Sequence, residues 1–129
     1  MKREEYNKLS KEILDSAITV HKEMGPGLLE SVYEYCLLAE LRSRGIKAEG
    51  QVLLPLYYKG KKVGKDFRMD ILVENEIIIE IKSKDIMLPV HEAQIISYLK
   101  LADKWLGFLI NFNVALMKDG FRRFVDGYL

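Results

Sequence analysis

Residues 76–84 read EIIIEIKSK, the most apolar strand-like run of the chain, and two charges stand inside it. Side chains alternate along a strand, so Ile77, Ile79 and Ile81 share one face while Ile78, Glu80 and Lys82 share the other. An unpaired charge is costly in an interior, and a buried one finds a partner or loses its charge. The run therefore asks what Glu80 and Lys82, side by side at one end of a strand, are placed to meet.

The preceding residues supply a partner. Glu74-Asn75-Glu76 is a tight polar break, so a strand over about Lys65–Val73 should return antiparallel to Ile77–Lys82. Folding the two about that break sets Asp70 across from the neighbourhood of Glu80. Two carboxylates and a lysine then converge at one end of a hairpin. Two carboxylates can hold a hard divalent cation such as Mg²⁺, which takes oxygen ligands and keeps several waters. Such an ion polarises a phosphoryl oxygen and makes water a stronger nucleophile. A lysine beside it can steady negative charge or orient the water. The same spacing also serves a structural salt bridge, Glu80 or Asp70 with Lys82, and D-x9-E-x-K alone does not choose between them.

Working outward, Ile13, Ala17, Val20 and Met24 step by threes and fours, which predicts an amphipathic helix over about 10–24. Gly25-Pro26-Gly27 ends it, and a second helix is expected over about 28–44, with Gly45 at its C-terminal cap. Gln51–Tyr58 reads as a strand, followed by a hairpin turn at Lys59–Lys62. Beyond the meander, Val90–Leu101 reads as a helix. WLGFLINF, residues 105–112, suits a strand covered on both faces, and 120–129 an edge strand. The order is α, α, β, β, β, α, β, an α+β (or α/β) arrangement of a mixed sheet flanked by helices.

The totals bound the function. The 129 residues suit one domain spanning 1–129, and 49% hydrophobic residues suffice for a core. A net charge of +1 neither requires nor excludes a nucleic-acid partner. The lone Cys36 cannot pair within the chain, which fits a reducing cytoplasm, and its helical setting suggests filler. No run approaches a membrane span, and MKREEYNKLSKE lacks the apolar core of a signal peptide. A cytoplasmic protein with no membrane contact is expected.

Two further motifs stand out. In GLLESVY, residues 27–33, Glu30 and Tyr33 share a helical face. Glu30 reads equally as an exposed residue or as a third carboxylate for the cluster. In HEAQIISYLK, residues 91–100, Gln94 and Tyr98 lie four apart on one face, and both can donate or accept hydrogen bonds. A tyrosine packed on the sheet reads the same way. His21 and His91 lack a partnered ligand pattern and receive no catalytic role.

Taken together, GPGLLESVYEYCL, FRMDILVENEIIIEIKS, PVHEAQIISYLK and LGFLINF resemble, in order, the blocks of the GxxExxY protein family, over about residues 13–124. That family is placed in the PD-(D/E)XK nuclease superfamily. The resemblance implies a restriction-endonuclease-like αβββαβ core, with the first helix as an addition. It implies that Asp70 and Glu80 bind metal, that Lys82 is the catalytic lysine, and that Glu30 is the helix glutamate that approaches the metal. Gln94 and Tyr98 resemble the Q-x-x-x-Y element that supports the site or contacts nucleic acid, and Tyr33 belongs with these supporting residues. Met69 stands where the name-giving proline would precede the aspartate.

The implied activity is a Mg²⁺- or Mn²⁺-dependent nuclease acting on nucleic acid, DNA foremost. The alternatives are a catalytically silent nucleic-acid- or protein-binding module, and a subunit active only as a homodimer or with a partner protein. Lys59, Lys61, Lys62, Lys65 and Arg68 crowd the hairpin next to Asp70, where they can meet phosphates or simply guard a sheet edge. Tyr57, Tyr58 and Phe67 are either interface aromatics or core. Arg122 and Arg123 offer further contacts of the same ambiguous kind.

Overall fold

A computed structural model describes residues 1–127. Two helices come first, α1 over Arg3–Met24 and α2 over Glu30–Ser43. Three strands follow, β1 over Ala48–Tyr58, β2 over Lys61–Val73 and β3 over Ile77–Lys82. Helix α3, Pro89–Ala102, leads to β4, Leu106–Asn111, and a short 3₁₀ turn at Met117–Asp119 leads to β5, Phe121–Val125. The strands form one sheet in the order β1-β2-β3-β4-β5. Only β3 and β4 pair in parallel, joined by α3; the other pairs are antiparallel. This is the mixed α+β sheet expected, with the N-terminal helix as an addition.

The isoleucine alternation of β3 decides how the layers stack. Ile77, Ile79 and Ile81 lie with Ile71, Val73 and Phe108 against α1 and α2, which contribute Ile13, Ala17, Tyr33, Leu37 and Leu41. Ile78 lies on the opposite face with Leu72 and with Tyr98 and Leu99 of α3. Each fully buried isoleucine contributes roughly 1.5–3 kcal/mol relative to exposure, so a β3 buried on both faces anchors the sheet. Gly107 of β4 lets α3 sit close: a Cβ there would meet Ile95 Cδ1 at 3.0 Å and Ile78 O at 3.2 Å.

The first hairpin turn is two residues long and the second, Glu74–Glu76, is three. Lys59 (φ 50°) and Gly60 (φ 80°) link β1 to β2, and Glu74 (φ 51°) and Asn75 (φ 56°) open the turn into β3. Two consecutive left-handed residues suit the right-handed twist of paired strands. The helix expected from residue 10 begins at Arg3 instead. Tyr6 is only 3% exposed and donates its hydroxyl to Glu76 Oε2 at 2.9 Å, so the apolar stripe runs back into a segment that reads as charged. The expected edge strand over 120–129 is β5, and residues 128 and 129 lie outside the described residues. Among the described residues no helix is long and apolar enough to cross a membrane.

Candidate active site

The pairing of β2 with β3 stops at Ile71 opposite Ile79. The next residues along, Asp70 and Glu80, replace the ladder with side chains. Asp70 Oδ2 accepts the backbone N–H of Ile81 at 2.8 Å, and Glu80 Oε1 accepts the backbone N–H of Asp70 at 3.3 Å. The carboxylates thus close the sheet where its strands part.

A reversal of facing in β1 and β2 produces the parting. Gly50 pairs with Ile71, and both look toward α2: a Cβ on Gly50 would meet Leu38, and Ile71 packs in the α1/α2 core. Val52 pairs with Met69, two residues on, yet both pack on the α3 side. Residues two apart share a face in a regular strand. The face changes at Gln51 and Asp70, and Gln51 has φ 51°, in the left-handed region. Asp70 is left reaching across to β3. Beyond it, β2 pairs with β1 alone, and the two run on as a projecting ribbon.

Glu80 is 4% exposed. Burial pushes its carboxyl up to about 9, and the facing Asp70 carboxylate adds to this, while the Asp70 N–H and the Lys82 ammonium pull the other way. The ion pairs of the described residues involve Arg44, Lys84 and Arg122, and none includes Asp70, Glu80 or Lys82. Lys82, half-buried, is left to face the groove beside the carboxylates.

Helix α3 brings Gln94 and Tyr98 together as their spacing predicts, with Gln94 Nε2 donating to the Tyr98 hydroxyl at 3.1 Å. Burial raises the Tyr98 phenol, and the Glu80 carboxylate raises it further, which places the pair at the edge of the cluster. His91 instead caps α3, its Nδ1 accepting the Leu88 N–H at 3.0 Å.

The residues of α2 divide. Glu30 opens the helix, and its ion pair is with Lys84, just past β3, at 3.9 Å. Glu34, one turn on, is the α2 carboxylate whose charge interacts with Asp70. Burial raises its carboxyl, the hydrogen bond from Gln51 Nε2 at 2.6 Å opposes this, and Asp70 adds to the rise. Sequence reasoning missed Glu34, although its spacing of four from Glu30 puts both on one helical face. Tyr33 stands apart from the carboxylates. It is fully buried, stacks on Phe112 at 4.5 Å, donates to Gly25 O and accepts the Leu28 N–H at 3.1 Å. It fastens the turn that positions α2.

A family model described as the PD-(D/E)XK nuclease superfamily matches residues 7–124. The chain belongs to the PD-(D/E)XK nuclease superfamily. Among solved structures, the crystal structure of SSO0001 is similar at 24% identity with a TM-score of 0.54, over 98% of this chain and 62% of that one. The chain therefore spans less than two thirds of SSO0001, and the likeness bears on the fold. No curated protein matches the chain.

Superfamily membership implies a divalent metal, and the residues fit one. Asp70 and Glu80 offer hard oxygen donors, and among the described residues no cation forms an ion pair with the buried Glu80. Among the described residues no three His, Cys, Asp or Glu side chains form a closed cluster. Two carboxylates suit a hard divalent cation that keeps several of its waters.

Proposed function

We propose that the chain hydrolyses phosphodiester bonds of nucleic acid, DNA foremost. The observation that carries the reading is the meeting of Asp70 and Glu80 across the parted strands, with Lys82 beside them and, among the described residues, in no ion pair. Asp70 and Glu80 would hold Mg²⁺ or Mn²⁺, with α2 contributing an outer carboxylate from Glu34 or Glu30. Such an ion supplies Lewis-acid stabilisation of the phosphoryl group and a lowered pKa for water.

The chain's own residues do the rest. Lys82 orients the attacking water or offsets charge gathering on the phosphoryl oxygens. Gln94 fixes the Tyr98 hydroxyl, close enough to the cluster for the Glu80 charge to raise the phenol. Burial of Glu80 keeps it from exchanging freely with solvent, so its charge is set by what binds beside it.

The test is cleavage of labelled single-stranded, duplex and branched DNA and of RNA by wild type and Lys82→Ala, with Mg²⁺, Mn²⁺ or EDTA. Cleavage by wild type alone, lost in EDTA, supports the reading. Absence of cleavage on every substrate moves the weight to a binding module or a partner-dependent subunit.

A further inference from the structure

Between the β1–β2 ribbon and α3 lies a groove of about 600 Å³, lined by Phe67, Lys82, Val90, Gln94, Tyr98 and Leu101. It opens directly beside the carboxylates, since Lys82 forms part of its wall. We propose that this groove takes an unstacked nucleobase, so that the preferred ligand is a single-stranded nucleic acid whose backbone runs along the ribbon. The proposal rests on the nuclease reading above for the class of ligand and adds which form is gripped and where.

The groove has the chemistry of a base site. Its floor is an aromatic pair, with Phe67 and Tyr98 ring centroids 5.2 Å apart. Phe67 is 40% exposed, Val90 63% and Leu101 49%, so an apolar surface stands open to solvent beside a lysine. Gln94 carries an amide that can pair with a base edge. A duplex keeps its base faces stacked on one another and cannot offer one to such a floor, whereas an unpaired strand can, and stacking on aromatic side chains does not depend on sequence.

The ribbon supplies charge complementarity. Residues 59–68 carry Lys59, Lys61, Lys62, Lys65 and Arg68 against Asp66 alone. The side chains of Lys59, Lys61, Lys62 and Arg68 are exposed, and that of Lys65 lies outside the described residues. Tyr57 and Tyr58 are 64% and 67% exposed at the tip, with Lys59 Nζ 5.4 Å from the Tyr58 ring centre. Exposed aromatics interleaved with cations on a ribbon that pairs with nothing else form a track for a phosphate backbone and its bases.

Binding is measured in EDTA by fluorescence anisotropy, so that no cleavage is required. The probes are a single-stranded oligonucleotide, its duplex and an abasic single strand of equal charge. Wild type should favour the single strand over the other two by about tenfold, the scale of one stacked base. Phe67→Ala should remove that preference and leave duplex binding unchanged, whereas Phe67→Trp should retain it, which separates lost stacking from lost folding. Lys61→Ala with Lys62→Ala should weaken all three probes and lower the salt slope by about 2.

Equal binding of duplex, abasic and normal single strands, or indifference to Phe67→Ala, overturns the proposal. So does a change in oligomeric state on Phe67→Ala with no change in binding, because the groove would then join copies of the chain. Single-strand preference without metal-dependent cleavage overturns the nuclease reading alone. Cleavage without the preference overturns the groove alone.

Discussion

Asp70 and Glu80 hold each other's strands: Asp70 accepts the Ile81 N–H at 2.8 Å, and Glu80 accepts the Asp70 N–H at 3.3 Å. The same two carboxylates are the proposed metal ligands. Their structural and chemical roles coincide, and substitutions separate the two.

Asp70→Asn keeps an acceptor for Ile81 N–H while discarding the charge. It should fold like wild type and lose metal binding and cleavage. Asp70→Ala also strands a partly buried N–H, at a cost of about 1–3 kcal/mol. Urea denaturation of both variants in EDTA should show the alanine variant alone destabilised by that order.

Glu80 governs a pH dependence with a definite sign. Its carboxyl rises from the ordinary 4.5 to about 9 in the folded chain, burial first and Asp70 second. Between those values the native state holds a proton that the unfolded state has released. The contribution is therefore complete below about 4.5 and is lost as pH rises through about 9. Metal-free protein should melt at higher temperature near pH 5.5 than near pH 8.5. Glu80→Gln should flatten most of that slope and stabilise the metal-free protein at the higher pH by on the order of a few kcal/mol. Differential scanning fluorimetry across pH checks both.

Lys82→Ala should separate chemistry from ligation. Lys82 forms no ion pair with either carboxylate, so its loss should leave the fold intact and Mn²⁺ affinity nearly unchanged. Cleavage should fall by about 100-fold or more, the scale of a lost charge-stabilising group. Single-turnover kinetics beside calorimetric titration test the separation.

Tyr33→Phe removes only a hydroxyl, yet that hydroxyl joins Gly25 O to the Leu28 N–H. A loss of about 1–3 kcal/mol is expected, because two backbone groups lose their shared partner. Mn²⁺ affinity should be little changed, since the hydroxyl touches no carboxylate of the cluster. Thermal unfolding and titration of the same sample read both.

Much of this was legible in the chain. The alternation of IIIEIK assigned both faces of β3, and the helical reading of Val90–Leu101 with the Gln94–Tyr98 spacing marked α3 and what it presents. The turns expected at Lys59–Lys62 and Glu74–Glu76 follow from short polar breaks between apolar runs, and the first closes more tightly than expected, at Lys59-Gly60. What was hidden depended on tertiary placement. The first turns of α1 read as charged because Tyr6 finds its partner, Glu76, seventy residues away. Glu34 was missed because its closeness to Asp70 arises only after α2 docks on the sheet. The change of face at Gln51 leaves no periodic trace, since a left-handed glutamine in a strand has no characteristic pattern. Glu30, singled out by its motif, meets Lys84 in the fold, and a motif alone does not say which partner a helix end will reach.

The most direct test of the central claim is calorimetric titration of Mn²⁺ into wild type, Glu80→Gln and Lys82→Ala near pH 7.5, in buffers of different ionisation enthalpy. Wild type and Lys82→Ala should bind the ion and release close to one proton, because a cation displaces the proton that Glu80 holds below about 9. Glu80→Gln should bind far more weakly and release none. Binding that ignores Glu80→Gln, or no binding by wild type, would show that Asp70 and Glu80 fasten the sheet and do not hold a metal.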